Sequence, residues 1–100
     1  MTEDRRESQR FTTPIIGLLR NLTQNTDPGV AILRNLSKGG FLVEMGQKVK
    51  LQDSIEFRVQ GCTFVGEVVH YLQEGDKWLV GGRIENRLND DQLQRILETL

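Results

Sequence analysis

The cleanest hydrophobic pattern in the chain is Ser54–Gln60, where Ile55, Phe57 and Val59 alternate with Glu56 and Arg58. A period of two predicts a half-buried strand. Other short apolar runs surround it, each bounded by turn residues. Phe11–Arg20 is apolar but interrupted by Pro14 and Gly17, which predicts an edge strand or a bent one. Asn21–Gly29 is a loop closed by Asp27-Pro28-Gly29. Val30–Leu36 and Gly40–Met45 are strands on either side of a polar corner. Gly46–Asp53 holds a turn and a short extended piece, with Val49 and Leu51 alternating against Lys48, Lys50 and Gln52. Gly61 turns the chain into Cys62–Leu72, whose inward phase falters near Gly66, so a bulge is expected there. Glu74-Gly75-Asp76 is a hairpin turn, and Lys77–Glu85 is the last strand, with Trp78, Val80 and Ile84 on one face.

The period then changes from two to that of a helix. Leu93, Ile96, Leu97 and Leu100 recur at i, i+3, i+4 and i+7, an amphipathic stripe. Asn89 with Gln92 three residues later forms a capping-box pattern, and Asp90 and Asp91 suit the positive end of the helix dipole. A helix over about 89–100 follows. Strands throughout and one terminal helix predict a mainly β protein, a small antiparallel barrel with a helical plug or lid.

Composition narrows the function. One hundred residues make one domain, long enough to bury roughly two-thirds of its unfolded surface. The net charge of −1 lacks the Lys/Arg excess of a general nucleic-acid binder, so no DNA or RNA partner is expected. The single cysteine, Cys62, rules out an intramolecular disulfide and a cysteine-rich zinc site. The first ten residues are charged, with no apolar signal-peptide core, and no later run reaches the length of a membrane span. The expectation is a cytoplasmic domain without membrane insertion.

Catalysis has little to stand on. His70 is the only histidine, and no nucleophile motif accompanies it. The carboxylates are dispersed, so no acid/base pair emerges. Ser37-Lys38-Gly39-Gly40 lacks the spacing and the strand–loop–helix setting of a phosphate loop. No enzymatic activity, resident cofactor or metal site is expected. Cys62 reads as a small packed hydrophobe and Trp78 as core.

Two features can act together. In the corner Asn35-Leu36-Ser37-Lys38-Gly39-Gly40, Asn35 and Ser37 fall on one face of an extended backbone. The glycines beyond them let backbone N–H groups approach a ligand without an intervening β-carbon. The hexapeptide alone reads better as an ordinary β-turn between paired strands. Residues 1–10 (MTEDRRESQR) have no apolar residue after Met1 and are expected to form a flexible arm. Within it, Arg6 and Arg10 are four apart, so in a helical turn their guanidiniums converge on one ligand.

Arg6-x-x-x-Arg10 followed by Asn35-x-Ser37-x-x-Gly40 resembles the paired signature of the PilZ domain, the bacterial receptor for cyclic di-GMP. Gly66-Glu67-Val68-Val69-His70 and Lys77–Ile84 resemble the later strands of that family, so the resemblance spans nearly the whole chain. It implies a six-stranded antiparallel β-barrel over 11–100 with a C-terminal helix, and an arginine-bearing arm over 1–10. The resemblance also implies that Arg6 and Arg10 grip guanine and phosphate, that Asn35 and Ser37 hydrogen-bond the ligand, and that Gly40 leaves it room. Arg5, just before the first motif arginine, implies an intercalated pair of cyclic di-GMP molecules. Lys38 is a candidate phosphate contact or a solvated turn lysine, and His70 is more readily structural. The implied function is a cyclic di-GMP receptor or adaptor whose arm closes over the corner and presents a surface to a downstream protein. Its competitors are a PilZ-like interaction module that has lost the ligand and a barrel for single-stranded nucleic acid, the latter short of exposed aromatics.

Overall fold

The computed structural model describes residues 10–99. Six strands, β1 (Phe11–Asn21), β2 (Gly29–Leu36), β3 (Gly40–Met45), β4 (Ser54–Val59), β5 (Cys62–Glu74) and β6 (Lys77–Ile84), precede one helix, α1 (Asp90–Leu97). All pairings are antiparallel, and the order β1-β2-β3-β6-β5-β4 closes into a barrel. This is the six-stranded, mainly β architecture expected. Closure removes the exposed strand edges that otherwise invite pairing with another chain.

The alternation in β4 works as its sequence implies: Ile55 and Phe57 are fully buried and Val59 nearly so. Each such side chain contributes about 1.5–3 kcal/mol by leaving water. Phe64 sits between Phe41 and Phe57, with ring centroids 5.5 Å from each. The Phe41 ring fits only because two strands present glycine to it. A β-carbon built on Gly82 would lie 2.2 Å from Phe41 Cζ, and one on Gly66 2.4 Å from Phe41 Cε2. Trp78 is buried, as its phase implies, and meets the Tyr71 ring at 5.3 Å. Cys62 is half-buried against the core.

Four local expectations are corrected. β1 is irregular but is not an edge strand, because Leu18–Asn21 pairs with β4 while Phe11–Leu19 pairs with β2. Its irregularity falls between Thr12 and Ile15, where Pro14 has no N–H to give and the Thr13 hydroxyl donates to the Leu33 carbonyl instead. The bulge in β5 lies between Val68 and His70, not at Gly66, which keeps the inward phase of Phe64 and Val68. Leu51 is exposed, because Lys50–Asp53 is a turn with Gln52 at φ +72° rather than an extended piece; of the two alternating apolar residues only Val49 is buried. The helix runs Asp90–Leu97 with Glu98 as its C-cap, shorter than 89–100, and Leu100 lies outside the described residues.

The capping box is formed as expected. Gln92 N–H donates to Asn89 Oδ1 at 2.8 Å, and Asn89 N–H donates to Gln92 Oε1 at 2.9 Å. Leu93 and Ile96 then join the core beside Leu88. A buried polar knot fixes the start of β4. Asp53 Oδ2 accepts from Asn21 Nδ2 at 2.8 Å, Gln24 Nε2 at 2.8 Å and the Lys50 N–H at 3.0 Å. Among the described residues, no helix is long and apolar enough to cross a membrane.

Candidate functional site

The corner between β2 and β3 is built by Ser37 and Gly40. Ser37 N–H donates to the Gly40 carbonyl at 2.9 Å, and Gly40 N–H donates to Ser37 Oγ at 3.0 Å. The hydroxyl lies 3.3 Å from the same carbonyl. Ser37 is buried, so its side chain shapes the turn from within. Neither Gly39 nor Gly40 has a positive φ. What glycine supplies here is space. A β-carbon on Gly40 would sit 3.3 Å from the Gly82 carbonyl and 3.6 Å from Ser37 Oγ.

The rest of the corner rests on the chain that follows β6. The Ile84 N–H donates to the Gly39 carbonyl at 2.9 Å, and the Leu88 N–H donates to the Lys38 carbonyl at 2.8 Å. Lys38 Nζ lies 2.6 Å from Asp90 Oδ1 at the start of α1. Lys38 is therefore not a bare solvated lysine; it pairs with Asp90 at the start of the helix.

These contacts leave an open depression lined by Arg10, Ser37, Gly39, Gly40, Gly82, Arg83 and Arg87. Arg10, just ahead of β1, brings Nη2 to 3.9 Å from where a Gly40 β-carbon would stand. Arg87 brings Nη1 to 3.2 Å from the corresponding position on Gly39. Arg83 pairs in register with Gly40 across β3–β6, and its guanidinium lies 3.5 Å from Glu67. Three guanidiniums around a glycine backbone suit an anion with flat parts, since guanidinium forks onto phosphate and stacks on rings.

The expected site residues are thus only partly gathered. Ser37, Gly40 and Arg10 share the depression. Asn35 is half-buried in β2, in register with Thr12 and Leu42, just past an irregularity at Arg34, which pairs with Glu44 at 2.6 Å. It stands outside the lining. Arg5 and Arg6 lie outside the described residues. Gly82, Arg83 and Arg87 are additions that linear motif reading passes over. The signal for Arg83 was topological, because only the β3–β6 pairing brings it opposite Gly40. His70 is exposed and lies flat over Gly81, whose β-carbon would fall 2.2 Å from its Cε1.

Comparison with known proteins places this arrangement in a class. The family model described as the PilZ domain matches residues 4–100, and the chain belongs to that family. PilZ domains are cyclic di-GMP-binding adaptor modules rather than enzymes. Among solved structures, the chain is similar to the Bacillus subtilis inhibitor of motility (MotI/DgrA), with a TM-score of 0.61 at 15% identity. The match covers 94% of this chain and 48% of that one, so the chain spans about half its length. At that identity the likeness is one of fold. No curated protein matches the sequence.

Proposed function

We propose that this chain is a cyclic di-GMP receptor and adaptor in which the N-terminal arginines and the β2–β3 corner clasp the ligand between them. Arg6 and Arg10 hold guanine and phosphate, while Asn35, Ser37 and Gly40 supply the barrel side of the grip. Arg5 extends the grip to a second, intercalated ligand molecule. The observation that carries the reading is the approach of Arg10 to the corner, with Nη2 3.9 Å from the vacant β-carbon position on Gly40. Family membership over residues 4–100 supports it.

The energetics make the arm a switch. Each charge-assisted hydrogen bond contributes roughly 1.5–3 kcal/mol. Fixing a residue costs about 1–2 kcal/mol of backbone entropy. Several arginine contacts and ring stacking must therefore form together before the arm closes. Closure creates a combined surface of arm and barrel, and a downstream protein reads it. In this reading the domain works in the cytoplasm, where the second messenger is made, and neither DNA nor RNA is its partner.

Isothermal titration of the full chain with cyclic di-GMP tests the proposal. Saturable binding with two ligands per chain is expected, and Arg5→Leu should change that number. Absence of binding would favour the ligand-independent interaction module.

A further inference from the structure

Part of the lining of the depression belongs to neither signature motif. It is formed by the segment that leaves β6 and enters α1. That segment is fastened to the corner from both ends, by Ile84 N–H on the Gly39 carbonyl and by Leu88 N–H on the Lys38 carbonyl. Lys38 and Asp90 add an ion pair at 2.6 Å. Arg87 lies between these fastenings, so its backbone is held while its exposed side chain covers Gly39. Its Nη1 is 3.2 Å from where a Gly39 β-carbon would be, so the guanidinium end lies against the Gly39 backbone.

We infer that Arg87 is a further ligand-binding arginine of this site, a barrel-borne phosphate contact that shares the Gly39–Gly40 depression with Arg10. The inference rests on the proposed cyclic di-GMP reading and deepens it. In the proposed reading, Arg5 and Arg6 reach the ligand only when the arm closes. A guanidinium carried on a backbone already held to the barrel needs no arm closure to stand at the corner, and gives an incoming phosphate its first anchor. Because residues 84–88 hold the corner from below, a ligand bound to Arg87 also bears on the segment that leads into α1. The corner, the arm and the helix approach then meet on one anion.

The test is isothermal titration of cyclic di-GMP into the full-length chain and three variants, with a thermal melt of each. Arg87→Gln should weaken binding at least about tenfold, the scale of one charge-assisted hydrogen bond. Arg87→Lys keeps the charge but loses the fork, and should fall between Arg87→Gln and the parent chain. Arg95→Gln, which removes a cation from α1 away from the depression, should bind as the parent does. If the parent chain binds and Arg87→Gln, folded by its melt, binds equally well, the role given to Arg87 is wrong while the receptor reading stands. Should Arg87→Gln fail to fold, parent-like affinity in Arg87→Lys would overturn the role in its place. An equal loss in Arg95→Gln would reduce the effect to overall charge and also overturn it. A parent chain that does not bind at all overturns both readings together.

Discussion

The Ser37 hydroxyl accepts the Gly40 N–H at 3.0 Å and lies 3.3 Å from the Gly40 carbonyl, so the two ends of the corner are locked by one buried side chain. Ser37 thus acts first on the shape of the corner. Ser37→Ala leaves the part-buried Gly40 N–H without its partner and should lower stability by about 1 kcal/mol. Urea denaturation measures this, and an unchanged midpoint would show the lock to be dispensable. Ligand affinity should fall in the same variant, because the corner backbone loses its fixed geometry.

The Phe41 ring makes a second, sharper prediction. Gly82→Ala puts a β-carbon 2.2 Å from Phe41 Cζ and 2.6 Å from the Glu67 carbonyl. Overpacking of this kind costs about 1–3 kcal/mol, and the backbone contact places it at the upper end. Adding Phe41→Leu to Gly82→Ala should restore only part of the loss, since the carbonyl remains in the way. Thermal melts of the single and double variants decide the point; full rescue would mean that the ring alone sets the constraint.

Asp53 predicts a pH dependence. Burial pushes its carboxyl up, but the donors from Asn21, Lys50 and Gln24 outweigh it and hold the group below its ordinary value of 3.8. The folded state therefore binds this proton less readily than the unfolded chain does. The resulting stabilisation is complete above the ordinary value and is lost as pH falls through the lowered one. Asp53→Asn should cost about 1.5–3 kcal/mol near neutral pH. It should also flatten the loss of stability below pH about 4 in acid-titrated urea melts. A variant with the parent's acid slope would remove Asp53 as its source.

Lys38 is expected to matter little for stability. Its pair with Asp90 is largely solvent-exposed at the Asp90 end, and such pairs contribute about 0–1 kcal/mol. Lys38→Ala should melt within about 1 kcal/mol of the parent chain. A larger loss would show that the ion pair, and not the Leu88 N–H bond, holds the corner to the helix approach.

The chain's own pattern carried the architecture further than the site. Alternation in Ser54–Val59 and the Asn89/Gln92 capping box are local devices, and each appears in the structure where the pattern implies. Glycine was harder to read. Gly66 inside an apolar strand reads as a bulge, yet its cause is a ring delivered by Phe41 from β3, while the bulge falls near Val69. Leu51 alternates with its neighbours but lies in a turn set by Gln52 at positive φ. For the candidate site, the paired signature named Ser37, Gly40 and Arg10, which share the depression, together with Asn35, which stands outside it. Arg87 was not legible, because it sits in an aperiodic connection and reaches Gly39 only once residues 84–88 dock on the corner.

The central claim is that arm and corner hold one anionic ligand between them, and titration of cyclic di-GMP into the parent chain and Arg10→Ala tests it most directly. The parent should bind, while Arg10→Ala should lose binding at least about tenfold yet melt at the parent's temperature. Equal affinity in both proteins, or a variant that unfolds, would contradict the account.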